Sequence, residues 1–241
     1  MPYRRLPNTD AARIRAIKRA LEKGKEVPPS YLAYPARIIV VLQKFITLFE
    51  NHIQIYRMAM ASQNSRSKEF QEAFRKAKIY LTHFVRVLNM AIYRGEMPAS
   101  ARSFYGLSAK ELTIPVVHNE KDLFTWGNKI IKGEEIRLRE GGSPVTNPTI
   151  AVVKVRFENF IDLYNSRQVL IKKTSDLAEQ TSSMRKEADE IILETWNEIE
   201  KSFSSLPDDI KKVRCEDYGV VYFYRKNEKT DLVNVPDRNV Q

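Results

Sequence analysis

The chain has 241 residues, of which 43% are hydrophobic and 29% are charged, and its formal net charge at pH 7 is +10. These fractions are typical of a folded globular protein and exclude a collagen-like or disordered chain. A single cysteine, Cys215, excludes an internal disulfide framework and any metal site that needs paired cysteines.

The N-terminal residues contain no apolar segment of the kind found in a secretory signal. No apolar run approaches the roughly 18 residues that a membrane span needs. We therefore expect a cytoplasmic protein without a transmembrane helix.

A basic amphipathic helix is predicted over residues 11–22, because Asn8, Thr9 and Asp10 supply a cap and an early acid and Gly24 supplies a stop. Residues 1–25 contain eight Lys and Arg residues against two acids, a net charge of +6. The apolar side of this helix is a narrow stripe of three residues: Ile14, Ile17 and Leu21. Because Pro28 and Pro29 follow, residues 1–33 are predicted to be a helix and linker outside the main domain.

Two longer helices are predicted over residues 34–63 and 68–94. Both carry apolar residues at helical spacing, such as Phe45 and Phe49 in the first. Residues 65–67 form the predicted turn between them, and Gly95 ends the second. Two helices of similar length joined by so short a turn predict an antiparallel hairpin.

Residues 96–147 are predicted to form a partly helical crossover. Asn119 and Asp122 have the spacing of a capping box, and the helix after them is expected to end at Gly141 and Gly142. Residues 220–224 are rich in residues that favour strands, and residues 114–117 are their candidate partner.

Residues 147–206 have no Gly or Pro after Pro148, and Asn147 and Pro148 suit a helix start. One helix of this length would measure about 85 to 90 Å, too long for a compact domain of this size. A fold-back is therefore predicted at residues 181–183. The predicted fold is all-α: a four-helix bundle of antiparallel helices within residues 34–206, its topology open, followed by a short C-terminal appendage and tail at 207–241.

Five stretches resemble a family of uncharacterised bacterial helical proteins: RRLPNTDAARI (4–14), LNMAI (88–92), TNPTIA (146–151), WNEIE (196–200) and YGVVY (218–222). The resemblance spans nearly the whole chain. It implies a helical protein and brings no assigned activity with it.

The three histidines are candidate metal ligands, because helical bundles hold di-iron sites through Glu-x-x-His pairs. None of the three histidines has a Glu three positions before it, which argues against that class. His52 and His83 could instead meet across the predicted hairpin, where Tyr56 and Tyr80 would complete a pocket for a small molecule or a reaction. The favoured alternative is that these histidines are partly buried and bonded to Tyr or backbone groups.

The sequence lacks two common catalytic and phosphate-binding motifs. It contains neither a Gly-x-Ser-x-Gly motif nor a Gly-x-x-x-x-Gly-Lys-Ser/Thr phosphate loop. Cys215 is interpreted as an incidental thiol, and the acids of residues 187–200 as a solvated face or a partner of the basic helix. We therefore predict no catalytic residue, no metal and no cofactor.

The basic N-terminal helix is the leading candidate for a binding function. Six cations could neutralise phosphates in salt-sensitive contacts with nucleic acid: Arg4, Arg5, Arg13, Arg15, Lys18 and Arg19. The favoured alternative is that the aliphatic stripe docks this helix on the bundle while its charges face water or the acidic helix.

These observations predict a non-enzymatic interaction or scaffold protein that binds another macromolecule, with an unidentified protein as the first choice of partner. Nucleic-acid binding through the N-terminal helix and a pocket inside the bundle are the two alternatives. A homo-oligomer stays open.

Overall fold

The structure is a computed structural model that describes residues 3–223, and it is all-α. The helices are α1 (Asp10–Glu26), α2 (Ala36–Tyr93), α3 (Glu120–Arg139), α4 (Ile150–Ser202) and α5 (Asp208–Asp217), with 3₁₀ turns at Pro29–Tyr31 and Ala99–Tyr105. Two-residue strands β1 (Tyr3–Arg4) and β2 (Tyr222–Phe223) pair in antiparallel register.

Both predicted helix breaks are wrong, because α2 and α4 run through them without interruption. At residues 65–67 the helix continues, and Arg66 pairs with Glu69 one turn later at 2.6 Å. At residues 181–183, Thr181 donates its hydroxyl to the carbonyl of Leu177 at 2.7 Å, a bond that a helix accommodates. Neither site contains a Gly or Pro that would force a break. Because both helices are continuous, the predicted bundle of four separate antiparallel helices is not confirmed.

The chain forms two compact units instead of one bundle domain. Unit 1 consists of residues 1–58 and 175–241, and unit 2 consists of residues 59–174. Helices α2 and α4 each contribute one part to each unit. The fold-back at residues 181–183 was predicted because one helix of that length is too long for a single compact domain. That length limit does not apply here, because α4 belongs to two units. The predicted boundaries at residues 33 and 206 differ from this division.

Unit 1 has a core built from α1, α2, α4 and the C-terminal segment. Ile17 of α1 packs with Phe49 of α2 and Trp196 of α4, and each is at most 1% exposed. Cys215 and Tyr218 complete this core from the end of α5. The stripe predicted on the basic helix is therefore a docking surface.

Unit 2 has a second core in which aromatic rings from α2, α3 and α4 meet. Phe160 of α4 lies between Phe70 and Phe124, with ring centroids 5.7 and 4.9 Å away. Gly127 on α3 permits this packing, because a Cβ there would lie 2.3 Å from the ring of Phe157.

Several local predictions are confirmed. Asn119 and Asp122 form a capping box at the start of α3, and Gly95, with φ of 77°, follows the end of α2. Two others are wrong. Helix α1 continues through Gly24, whose missing side chain leaves room for the Tyr34 hydroxyl. Strand β2 pairs with β1 rather than with residues 114–117.

Helix α2 bears on the prediction that the chain has no membrane span. By length and composition alone, one 18-residue window of this helix could cross a membrane, and 33% of that window is buried. The core helix of a globular protein passes the same test. In the structure α2 supplies Phe49 to one core and Phe70 and Phe84 to the other.

Candidate interaction groove on unit 1

The basic N-terminal segment docks on the acidic half of α4 through ion pairs. Arg13 donates from Nε and a terminal nitrogen to the two carboxylate oxygens of Asp189, both at 2.8 Å. Arg4 donates to Glu200 at 3.0 Å and to Asn197 at 2.8 Å. The favoured alternative of the sequence analysis, docking on the acidic helix, is confirmed for these two arginines.

A third ion pair crosses the same interface with the charges reversed. Arg185 of α4 donates two hydrogen bonds, of 2.7 and 2.8 Å, to the carboxylate of Asp10. Those hydrogen bonds outweigh partial burial and lower the pKa of Asp10. Together the three two-bond contacts fix the position of α1 on α4.

The outer side of α1 forms one wall of a groove that encloses about 590 Å³, which we call the α1 groove. Its apolar floor comes from three places in the chain: the segment before α1, α1 itself and the segment that contains β2. The apolar lining residues are Leu6, Pro7, Ala12, Ala16, Val221 and Phe223. Four cations and one acid also line it: Arg5, Arg15, Lys18, Arg19 and Glu22.

Gly219 places the two walls of the groove close together. Its φ of 90° lies in the region that favours glycine, and a Cβ there would lie 2.9 Å from Cβ of Arg19. The chain therefore turns directly against α1 and delivers Val221 and Phe223 to the groove. Tyr222, between them, points the other way and donates its hydroxyl to Glu200 at 2.6 Å.

The cations of the groove differ in their partners. Lys18 is paired with Glu50 at 2.6 Å, and Arg19 lies 3.7 Å from Glu22. The guanidinium of Arg5 lies over the ring of Phe223, 5.3 Å from its centroid. Arg15 is exposed, and neither Arg5 nor Arg15 forms an ion pair with an acid within residues 3–223.

The six predicted nucleic-acid contacts therefore divide into two groups. Arg4 and Arg13 are bonded to acids of α4. The other four line the groove. Sequence reasoning missed the apolar floor, because Val221 and Phe223 reach the groove only through the pairing of β2 with β1. The sequence does show that residues 220–224 favour a strand. The prediction paired them with residues 114–117, whereas β2 pairs with β1.

The predicted histidine pocket is not assembled. His52 and His83 lie on one unbroken helix, between eight and nine turns apart, so the hairpin that would have joined them does not exist. Nε2 of His52, which is partly buried, lies 2.9 Å from the Thr181 hydroxyl and 3.3 Å from the Leu177 carbonyl. The backbone contact agrees with the alternative interpretation, whereas a threonine partner was not predicted. Tyr56 belongs to unit 1 with His52, whereas Tyr80 and the exposed His83 belong to unit 2. Tyr80 is instead covered by the guanidinium of Arg156, 5.4 Å from the ring centroid.

Within residues 3–223, no group of three His, Cys, Asp or Glu side chains is placed to hold a metal ion. Cys215 is buried, and burial is the main cause that raises its thiol pKa.

Comparison with known proteins adds no relative. No protein-family model matches the chain, and neither the curated proteins nor the solved structures give a match. The resemblance to uncharacterised bacterial helical proteins stays a prediction.

Proposed function

We propose that the protein is a non-enzymatic interaction protein and that the α1 groove binds an acidic segment of another protein with apolar side chains. The observation that carries this proposal is the combination of an apolar floor with the guanidinium groups of Arg5 and Arg15 at one site. Neither guanidinium has an acidic partner within residues 3–223.

The shape and lining of the groove support a peptide ligand. Its volume of about 590 Å³ is enough for a few side chains, within the range of roughly 300–1,000 Å³ that ligand sites occupy. Leu6, Val221 and Phe223 can bury the apolar side chains of such a segment. The arginines can bind its carboxylates through two hydrogen bonds each.

Charge favours a short acidic segment over a polyanion at this site. Arg4 and Arg13 are already paired with α4, and Glu22 lies on the rim. Unit 1 as a whole contains 21 Lys and Arg residues against 19 acids, so its net charge is only +2. Nucleic-acid binding by the N-terminal helix therefore receives less support than the sequence suggested. The cytoplasmic location stays a prediction.

The test is fluorescence anisotropy with a labelled peptide of alternating Glu and Leu residues. The variant Arg5→Gln/Arg15→Gln removes the two groove charges that have no acidic partner within residues 3–223. Exposed charges contribute up to about 1 kcal/mol each, so we expect roughly tenfold weaker binding by this variant. The matched control is Lys25→Gln/Arg214→Gln, which removes two exposed charges of unit 1 that do not line the groove.

A peptide with Lys in place of Glu should not bind the wild-type protein. Equal weakening in the two double variants would refute the groove as the binding site. Failure of the Glu-Leu peptide to bind at low salt would refute the proposed ligand class.

A further inference from the structure

Most of the net positive charge of the protein belongs to unit 2. Residues 59–174 contain 19 Lys and Arg residues and 11 Asp and Glu residues, so this unit carries a net charge of +8 out of the total of +10. The excess that the sequence places at the N-terminus is balanced within unit 1 by the acids of α4. A polyanion would therefore be attracted to unit 2.

One stretch of α2 in unit 2 carries half of that excess. Residues 66–86 contain six Lys and Arg residues and two acids, a net charge of +4. The two acids are bonded within the helix, Glu69 to Arg66 at 2.6 Å and Glu72 to Lys76 at 2.7 Å. Four cations of this stretch have no ion pair within residues 3–223: Lys68, Arg75, Lys78 and Arg86.

These four residues, which we call the α2 cation row, lie on one side of the helix. At 100° per residue they fall within an arc of about 80°. Lys68, Arg75 and Arg86 are exposed, and Lys78 is half-buried. From Lys68 to Arg86 the row is 18 residues long, which is five turns and about 27 Å along the helix axis.

We infer that the α2 cation row is a binding surface for the phosphate backbone of double-stranded nucleic acid. Over 27 Å a duplex presents about 16 phosphates, since it carries one charge per about 1.7 Å of its axis. Four cations held on one side of a continuous helix can contact such an array of charge without ordering a flexible backbone segment. Contacts of this kind recognise the backbone and not the base sequence.

The side chains between the cations favour a duplex over a single strand. Gln71, Ile79 and Thr82 lie on this side of the helix. Phe74 lines a surface depression with Arg75 and Lys78, but its ring packs against Phe70 and Phe160 of the unit 2 core. Proteins that bind single strands combine positive charge with rings that are free for bases to stack on. The Gln71 amide can donate hydrogen bonds to phosphate oxygens, as neutral side chains commonly do at duplexes.

The test is anisotropy of a labelled 20-base-pair duplex of mixed sequence, titrated with the full-length protein at several salt concentrations. Four phosphate contacts predict that log K falls with log salt at a slope of about −3.6. Binding should therefore weaken by roughly 150-fold between about 50 and 200 mM salt. Changing all four residues to Gln should weaken binding at least about tenfold at low salt and bring the slope towards zero.

A matched control removes four other exposed cations of unit 2, so that the net charge changes equally. It carries Lys110→Gln, Lys121→Gln, Arg139→Gln and Lys173→Gln, and it should bind within about twofold of the wild type. Circular dichroism of both variants establishes that the helices are intact. The Arg5→Gln/Arg15→Gln variant of the α1 groove should also bind the duplex normally, so this inference and the proposed function fail separately.

Three results would overturn the inference. The first is no binding of the duplex at low salt. The second is an equal loss in the two quadruple variants, which would show a general effect of net charge. The third is that poly-L-glutamate competes as well as the duplex at matched charge, which would indicate an acidic protein as the partner.

Discussion

Replacement of Glu134 by Gln tests the most buried polar cluster of unit 2. Glu134 is 0% exposed, and its carboxylate accepts hydrogen bonds from Arg137 at 2.8 Å, from the Tyr105 hydroxyl and from the backbone N–H of Val145 at 3.2 Å. Arg137, itself 5% exposed, also donates to the carbonyl of Ser143 at 2.7 Å. The cluster thus joins α3 to the segments on both sides of it.

The expected loss of stability is large because the substitution leaves Arg137 charged and buried. Removing one partner of a buried ion pair costs about 3–5 kcal/mol. The Gln amide keeps one acceptor but turns a second oxygen into a donor that faces other donors. We therefore expect unit 2 to lose about 3 kcal/mol or more of its free energy of unfolding.

The same residue predicts a pH dependence. Burial opposes ionisation of Glu134, but the hydrogen bonds from Arg137, Tyr105 and Val145 together outweigh it and lower its pKa. A carboxyl whose folded pKa is lowered stabilises the fold above its unfolded pKa, near 4.3, and this stabilisation is lost as the pH falls through the folded pKa. Glu134→Gln should abolish that part of the acid sensitivity.

Hydrogen exchange measured by mass spectrometry resolves the effect by unit, since α3 belongs to unit 2 and α1 to unit 1. In the variant, protection of α3 should fall more than about a hundredfold while protection of α1 is unchanged. The control is Glu135→Gln, at the adjacent, half-buried residue paired with Lys154 at 3.5 Å, which should cost less than about 1 kcal/mol. Equal effects of the two substitutions would refute the reasoning.

Three further outcomes are expected. Gly127→Ala should lower the midpoint of thermal unfolding, with a cost of about 1–3 kcal/mol, because its Cβ would overlap the ring of Phe157. Cys215 should react with a thiol reagent only when denaturant is added, because it is buried and burial raises its thiol pKa. Asp189→Asn should speed proteolysis within α1, because Arg13 is 8% exposed and would lose a charged partner worth about 1.5–3 kcal/mol; normal protease resistance would contradict this role.

Local signals in the sequence predicted some ends of elements correctly. The capping box of Asn119 and Asp122 and the stop at Gly95 depend on side-chain and backbone chemistry within a few residues, so the sequence contains the whole cause. Gly24 shows where this reasoning fails. A glycine at this position suggests the end of a helix, but α1 continues through it. Its missing side chain leaves room for the Tyr34 hydroxyl, which donates to the Ala20 carbonyl at 2.6 Å.

The lengths of α2 and α4 were not predictable from such local signals. Serines and threonines at 65–67 and 181–183 weaken a helix only slightly, and tertiary contacts override that preference. Gln63 accepts a hydrogen bond from Thr174, and His52 bonds to Thr181, so each candidate break lies near a contact between α2 and α4. Those contacts join residues more than a hundred positions apart, which no short window of sequence reveals.

The candidate groove was predictable in part. The cations Arg5, Arg15, Lys18 and Arg19 were identified because charge is visible in the sequence. The sequence does not show that Arg4 and Arg13 bond to α4 while the other four do not. It also does not show the apolar lining from Val221 and Phe223, which depends on a strand pair whose partners are more than 200 residues apart. Residue type indicated the chemistry, whereas tertiary structure decided which residues remain available.

Charge shows most clearly why position in the fold matters more than position in the chain. A count along the sequence places the greatest excess at residues 1–25, yet Arg13 and Arg4 meet acids of α4 within the same unit. Deleting residues 1–33 would therefore be a poor test of nucleic-acid binding, because it also removes Ile17 from the core and exposes the acids that α1 covers. Any loss of binding would follow equally from damage to unit 1. The α2 cation row belongs to neither core and does not take part in the interface between α1 and α4. A loss of salt-dependent duplex binding after its neutralisation can therefore be assigned to those four side chains.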